Sequence, residues 1–499
     1  MSNSHALSKD SIVAVIGAGA MGSGIAHVAA KAGHPVFLFD TNEAALTKGI
    51  SGIKKDLEFL VSKNKMSAED MAATLARITP VSELSALKNT NLDIEAIVEN
   101  LDIKRKVFGD LEDLLAEDAI LTSNTSSISI TSIAAKLKRP ERLLGVHFFN
   151  PAPRMALVEI VSGVASDKHL ANILFDSAKA WGKVPVHAKS TPGFIVNRVA
   201  RPYYAEGLRV LEEQIADIAT IDTLMREGCG FPLGPFELMD LIGHDVNFAV
   251  TNSVFNAYFG DKRFTPSITQ QELVSAGRLG RKSGQGFYDY RENAIKPQAI
   301  VAAACEKPKA IKLSEDTTVC QDLRERLEKA GVEVVSAKSN INAPTLFITD
   351  GRTATIRAKD ENISSLAVFD LVKDMKTSER VGISFSDSTS DADKGHVIGA
   401  LQAAGLQVSI LDDVAGLVGM RTVCMLANEA SDVVTQGIAS AKDIDSAMKF
   451  GTNYPIGPMT WAEQIGIKHV ARVLNNLKNH YGEERYRLSP YILRKNAAI

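Results

Sequence analysis

Short apolar runs recur along the first 190 positions, and each is followed by a longer stretch in which apolar residues return every three or four places. Residues 11–16, 35–39, 94–98, 119–122 and 142–149 read as strands, and residues 23–31, 43–62 and 103–115 as the helices between them. Ser67, followed three places later by Asp70, reads as a further helix start. Strands alternating with helices predict a mostly parallel sheet covered on both faces.

The later part of the chain carries a repeat. A shift of 223 positions lays residues 182–243 on 405–466 without a gap, with 16 of 62 positions identical, where chance gives about four. Gly193 falls on Gly416, Arg198 on Arg421, Glu206 on Glu429, Ile221-Asp222 on Ile444-Asp445, and Pro232-x-Gly234-Pro235 on Pro455-x-Gly457-Pro458. The pattern predicts a duplicated helical domain. The same shift sets Met420 against Asn197 and Asp370 against His147, so the second copy lacks the polar groups of the first. Between the copies, residues 343–351 and 405–410 read as strands of a small α/β unit.

Composition narrows the partners. The chain of 499 residues carries 56 Lys and Arg against 59 Asp and Glu, a net charge of −3, without the basic stripe that a nucleic-acid surface needs. Cys229, Cys305, Cys320 and Cys424 lie far apart with no CxxC pair, which predicts reduced thiols and no metal site. Residues 1–10 are polar, and the first apolar stretch is interrupted by glycines, His27 and Lys31, so neither a signal peptide nor a membrane span is expected. The C-terminus carries no peroxisomal tripeptide. A cytoplasmic protein is the expectation.

The first strand runs into Gly17-Ala18-Gly19-Ala20-Met21-Gly22 and then a helix. In a GxGxxG turn, Gly17 permits the tight bend, Gly19 lets a pyrophosphate approach the backbone, and Gly22 lets the helix pack on the strand. Asp40 ends the second strand, eighteen residues after Gly22, where a carboxylate binds the ribose hydroxyls. Thr41 and Asn42 offer no arginine for a 2′-phosphate, so NAD is expected over NADP. A plain glycine turn in a nucleotide-free domain is the alternative.

Three further segments carry candidate chemistry. If residues 145–161 form a hairpin about Pro153, facing residues have numbers that sum to 306, which sets His147 opposite Glu159. A carboxylate facing an imidazole prepares a general base, although a histidine in an apolar strand is more often a satisfied core residue. Residues 121–127 form a hydroxyl-rich loop at the carboxyl end of a strand, either a ligand loop or a helix cap. Asn197 lies in the first turns of the helix that follows Pro192-Gly193.

Taken in order, GxGxMG, Glu95-Ala-x-x-Glu99, Ser123-Asn-Thr-Ser-Ser127, His147-Phe-Phe-Asn-Pro151, Pro192-Gly-Phe-Ile-x-Asn-Arg198 and Gly280-Arg-Lys-Ser-Gly-Gln-Gly-Phe-Tyr288 resemble the L-3-hydroxyacyl-CoA dehydrogenase family over residues 11 to about 290. The whole chain resembles its longer bacterial members, which act on 3-hydroxybutyryl-CoA or 3-hydroxyadipyl-CoA, the latter in phenylacetate breakdown. The resemblance implies NAD-dependent interconversion of (S)-3-hydroxyacyl-CoA and 3-ketoacyl-CoA. His147 would be the general base or acid with Glu159 its partner, and Ser126 and Asn197 the contacts to the reacting oxygen and thioester carbonyl. Gly17, Gly19, Met21, Gly22 and Asp40 would hold the cofactor, Glu99 and Lys104 would lie near the nicotinamide ribose, and Lys54, Lys63 and Lys65 would be candidates for the CoA phosphates, or simply a solvated face. A sugar-acid dehydrogenase and a catalytically weak structural protein on the same fold are the rival readings.

The expected architecture is therefore a Rossmann-type dinucleotide-binding domain at 1–189, an all-α domain at 190–290, a degenerate α/β insert at 291–410, and a second all-α domain at 411–499 that repeats 190–270. Either a homodimer or a monomer with an internal pseudo-dimer is expected.

Overall fold

The computed structural model describes residues 5–314 and 317–498. The first four residues of the polar N-terminus and the last residue of the C-terminal tripeptide lie outside that range. By compactness the chain forms two units, one of residues 1–196 with 436–452, the other of 197–435 with 453–499.

The first unit is built on eight strands: β1 (Val13–Ile16), β2 (Val36–Phe39), β3 (Ile78–Val81), β4 (Leu92–Glu95), β5 (Ile120–Ser123), β6 (Leu143–Phe148), β7 (Leu157–Ser162) and β8 (Val184–Lys189). Their order is β3-β2-β1-β4-β5-β6-β7-β8, parallel throughout except for the antiparallel β6–β7 pair. Chain order reverses between β1 and β4, which opens a crevice at their carboxyl ends, where ligands bind in such sheets. Val146, Phe148, Val158 and Ile160 join Ile25, Ala29 and Leu174 in one apolar layer on the side of helices Ala20–Ala32 and Lys168–Ala180. Because strand side chains alternate, His147 and Glu159 are turned to the opposite face.

Where a small α/β unit with two strands is expected between the repeats, the second unit contains a six-stranded sheet: β9 (Ala310–Leu313), β10 (Glu333–Ser336), β11 (Thr345–Ile348), β12 (Leu366–Phe369), β13 (Arg380–Phe385) and β14 (Gln407–Ile410), ordered β10-β9-β11-β12-β13-β14. Its last three strands start 223 residues after β6, β7 and β8, and they keep the same senses, β12–β13 antiparallel and β13–β14 parallel. The duplication therefore reaches back beyond the helices into the sheet. Sequence identity does not reveal this, because strand positions accept many apolar residues.

Segment 436–452, expected within the second helical domain, is part of the first unit. Its helix Ala441–Thr452 packs on β7 and β8, Lys189 N donates to Ile438 O at 3.0 Å, and Gly451 sits so close to Leu157 that a Cβ would approach within 2.5 Å. The image of this arrangement occurs in the second unit. Asp412 N donates to Ile215 O at 2.9 Å, and Gly228 faces Arg380, whose carbonyl lies 3.9 Å from the Cβ position; every number differs by 223. Each copy thus lends one helical segment to the other copy's sheet.

Within the second unit the repeats meet in reciprocal pairs. Arg198 Nε lies 2.6 Å from Glu429 Oε1, and Arg421 Nε lies 2.8 Å from Glu206 Oε2, so residue i of one copy meets residue j of the other in both directions, as in a two-fold interface. Phe231 and Tyr454, equivalent in the two copies, meet edge to face with ring centroids 5.0 Å apart, which locates the pseudo-two-fold axis between them.

Candidate active site

The first unit's crevice opens on the glycine turn. Gly17 has φ 107°, and a Cβ on Gly22 would lie 1.8 Å from Gly17 O, whereas nothing lies within 4 Å of the Cβ position of Gly19. Helix Ala20–Ala32 begins there with no side-chain cap and no acid in its first turn, leaving its N–H groups to an anion. Asp40 at the end of β2 accepts from Ala18 N at 2.8 Å and from Asn42 N at 2.9 Å, so its carboxylate is tied to the turn itself. Met21 packs against the core. The open space at Gly19, the uncapped helix and the anchored Asp40 fit NAD: pyrophosphate on the helix start and ribose diol on the carboxylate.

A buried polar network continues from β4. Lys104 Nζ, 1 % exposed, is 2.7 Å from Glu95 Oε1 and 3.2 Å from Glu99 Oε2, and Ser123 Oγ donates to Glu95 Oε2 at 2.6 Å. Glu99 Oε1 accepts from Thr125 Oγ1 at 2.5 Å, from Ser127 Oγ at 2.8 Å, and from the backbone N–H of Ser126 and Ser127. Burial pushes the Glu99 carboxyl up, but the bond from Thr125, the Lys104 charge and the bond from Ser127 outweigh it and hold it below the usual glutamate value. Glu99 and Lys104 thereby set the shape of the hydroxyl-rich loop, in which Ser126 is exposed.

At the end of β6 the hairpin register pairs His147 with Glu159, and His147 Nδ1 lies 2.6 Å from Glu159 Oε2. Glu159 is fully buried, and its Oε1 accepts from Ile195 N at 3.0 Å and Val196 N at 3.1 Å. The carboxylate can only accept, so Nδ1 carries the proton and Nε2 presents its lone pair. Phe149 and Phe194 flank the imidazole, with centroids 4.5 and 5.9 Å away. Asn124 Oδ1 accepts from Phe148 N at 2.8 Å, fastening the serine loop to the strand end next to His147. Asn124 and Glu95 are positioning residues left without roles by sequence reasoning; their one signal was a polar residue inside an apolar strand or at its end.

Sheet register thus brings His147 to Glu159, and loop hydrogen bonds bring Ser126 to Glu99 and Lys104. Asn197 follows Val196 directly and begins the second unit. The lysines divide. Lys54 is 60 % exposed and 3.9 Å from Glu58 one turn away, and Lys63 lies over the ring of Phe59. Lys65 lines a cavity of about 660 Å³ with Lys31, Arg154, Trp181 and Lys183. Burial, together with Lys31, brings Lys183 down to about 8.

Two family models cover most of the chain: 3-hydroxyacyl-CoA dehydrogenase, NAD binding domain, at residues 12–191, and 3-hydroxyacyl-CoA dehydrogenase, C-terminal domain, at both 193–290 and 416–498. The chain is 46% identical over 477 residues, 95% of each sequence, to 3-hydroxyadipyl-CoA dehydrogenase of Escherichia coli K12. It belongs to the 3-hydroxyacyl-CoA dehydrogenase family. Its reaction class is NAD-dependent oxidation of a CH–OH group, with the dinucleotide held by the first of these domains. The C-terminal-domain model matches twice, at the two copies of the repeat, and a 3-hydroxybutyryl-CoA dehydrogenase reduced Rossmann-fold domain matches residues 346–414, which include β12, β13 and β14. A crystal structure of 3-hydroxybutyryl-CoA dehydrogenase from E. coli K12 shares 43% identity with a TM-score of 0.89, covering 98% of both chains. The 3-hydroxybutyryl-CoA dehydrogenase of Clostridioides difficile is 41% identical over 280 residues, 56% of this chain and 99% of its own, and so corresponds in length to the first copy alone. No helix of the described residues is long and apolar enough to cross a membrane.

Proposed function

We propose that this dehydrogenase oxidises (S)-3-hydroxyacyl-CoA through His147, with 3-hydroxyadipyl-CoA or 3-hydroxybutyryl-CoA as its substrate. The observation that carries the reading is the 2.6 Å His147–Glu159 pair, whose carboxylate is itself held by two backbone N–H groups. His147 Nε2 takes the proton of the 3-hydroxyl as hydride departs from C3, and Glu159 stabilises the imidazolium that forms. In the reverse direction the imidazolium returns the proton to the developing alkoxide. NAD, when bound, supplies the hydride acceptor. Ser126 and Asn197 orient the reacting oxygen and the thioester carbonyl, and the Glu99–Lys104 network keeps the serine loop in place. Lys65, in a cavity wall with three other cations, is the best placed of the three lysines for CoA phosphates.

We also assign the chain one functional site and an internal pseudo-dimer, on the reciprocal Arg–Glu pairs and the exchanged segments. Four cysteines without disulfides fit a cytoplasmic protein. Oxidation of NADH followed at 340 nm with acetoacetyl-CoA tests the activity, and absence of turnover would leave the structural-protein reading. Calorimetric titration with NADH should give one site per 499-residue chain; two equivalent sites would refute the assignment.

A further inference from the structure

Arg201 stands one helical turn beyond Asn197, and its side chain is an anomaly. It is 5 % exposed, its Nε donates to Asn197 O at 2.9 Å, and one Nη donates to Thr251 Oγ1 at 3.2 Å. Its face lies 4.7 Å from the centre of the Tyr204 ring. Among the described residues no carboxylate comes within ion-pairing distance of it. A buried cation without an anion is costly, and natural proteins retain one where something else supplies the charge. Burial draws the guanidinium below its usual value, with only partial relief from Tyr204 and Tyr454.

Arg201 lines a cavity of about 290 Å³ within the second unit. Three more arginines share the wall, and each already has a carboxylate: Arg209 has Glu206, Arg263 has Glu429 and Asp432, and Arg485 has Glu483. Glu212, the acid at the exposed mouth, is engaged by Ser267 and Thr269. Of the four arginines in this wall, Arg201 is the one without a carboxylate partner among the described residues. The volume is at the lower edge of small-molecule sites, about 300–1,000 Å³, which suits the tail of a ligand and not a whole one. Leu208 and Phe264 supply apolar wall for methylenes.

We propose that Arg201 is a specificity residue that binds the ω-carboxylate of a dicarboxylic 3-hydroxyacyl-CoA, an inference that rests on the proposed role of Asn197 at the reacting end of the substrate. The lengths agree. One turn of helix advances about 5.4 Å; in a six-carbon diacid, C3 is three bonds from the ω-carboxyl carbon, about 4 Å, and a charge-assisted hydrogen bond spans about 2.8 Å. A four-carbon acyl chain stops one carbon past C3 and leaves the guanidinium unpaired. The comparison that isolates the charge is 3-hydroxyadipyl-CoA against 3-hydroxyhexanoyl-CoA, equal in length and differing in the terminal carboxylate.

The test measures kcat and KM for both substrates in wild type, Arg201→Met and Arg201→Lys. Wild type should favour the adipyl substrate. In Arg201→Met the ratio of kcat/KM values, adipyl over hexanoyl, should fall at least about thirtyfold, the lower range for truncating a buried charge partner, mainly through KM. Arg201→Lys should keep part of the preference, which guards against a folding defect in the Met variant. An unchanged ratio, equal losses on both substrates, or a wild type that prefers the hexanoyl substrate would overturn the proposal while leaving the proposed activity intact. A wild type inactive on every 3-hydroxyacyl-CoA would instead remove the functional reading on which it rests.

Discussion

His147 and Asp370 occupy the same place in the two copies. Each lies at the carboxyl end of the strand before an antiparallel partner, His147 one residue inside β6 and Asp370 one residue past β12, and each stands opposite the residue that a shift of 223 predicts, Glu159 in one and Gly382 in the other. The turns that follow also match: Gly193 and Phe194 have φ 75° and 46°, Gly416 and Leu417 have φ 79° and 55°. In the first copy Glu159 binds the N–H groups of Ile195 and Val196 and lends its second oxygen to His147. In the second, Asp370 itself reaches the equivalent groups, accepting from Val418, Gly419 and Met420 at 2.7–3.0 Å, and from Leu371. No imidazole is left to orient. A side chain at Gly382 would run into Leu411 and Leu224, so packing has filled the space that the Glu159 side chain uses in the first copy. The comparison separates two jobs of one carboxylate: closing the start of a helix, which both copies need, and orienting an imidazole, which only the first does.

The sharpest way to break this contrast is His147→Gln. Turnover should fall between about a hundredfold and ten-thousandfold, the usual share of a general base, with NADH affinity in calorimetry close to wild type; near-normal turnover would show that the first copy is no more catalytic than the second. Next in size is the reciprocal pair. Arg421→Met takes from buried Glu206 one of its two arginines, Arg209 being the other, and stability in urea should drop by about 1.5–3 kcal/mol, as when a hydrogen bond to a charged group is lost. Arg198→Met should cost a similar amount if the two-fold image is energetic as well as geometric, and a large inequality would make one copy the scaffold of the other.

Asp370→Asn should cost about 1–3 kcal/mol, because the amide NH₂ would face N–H donors that now have an acceptor. Its effect on kcat should be far smaller than that of His147→Gln, and a comparable loss would mean that the second copy takes part in the chemistry. The smallest effect concerns Glu99. Its carboxyl is held below the unfolded value near 4.5, so the folded chain binds that proton less readily than the unfolded one. The associated stability is present above pH about 4.5 and is lost as pH falls through the folded-state value. Glu99→Gln should therefore narrow the difference between urea midpoints at pH 7 and pH 4, whereas an equal difference in both proteins would assign the acid sensitivity elsewhere.

The sequence was most informative where local rules are strict. A two-residue strand period and a hairpin centre are enough to place His147 against Glu159, and the glycine turn with Asp40 follows from backbone sterics and strand length. The lysines were least legible, because an exposed helix lysine has the same sequence signature whether it meets a phosphate or water. Glu95 and Lys104 illustrate the middle case. Nine residues apart, they announce an acid in a strand and a base in a helix, and only the fold shows them as a buried pair at 2.7 Å.

By itself, then, the sequence determined the elements, the pairing of His147 with Glu159, the glycine turn and the existence of a repeat, since each depends on spacing within a short stretch or on residue identity. Tertiary structure alone decided that segment 436–452 packs against the first sheet, that Asp370 takes over the helix-closing role of Glu159, and that Arg201 has no carboxylate partner among the described residues. These are contacts between residues far apart in the chain, or the lack of one. No local pattern encodes them, because the free energy that selects them arises only when distant surfaces are buried together.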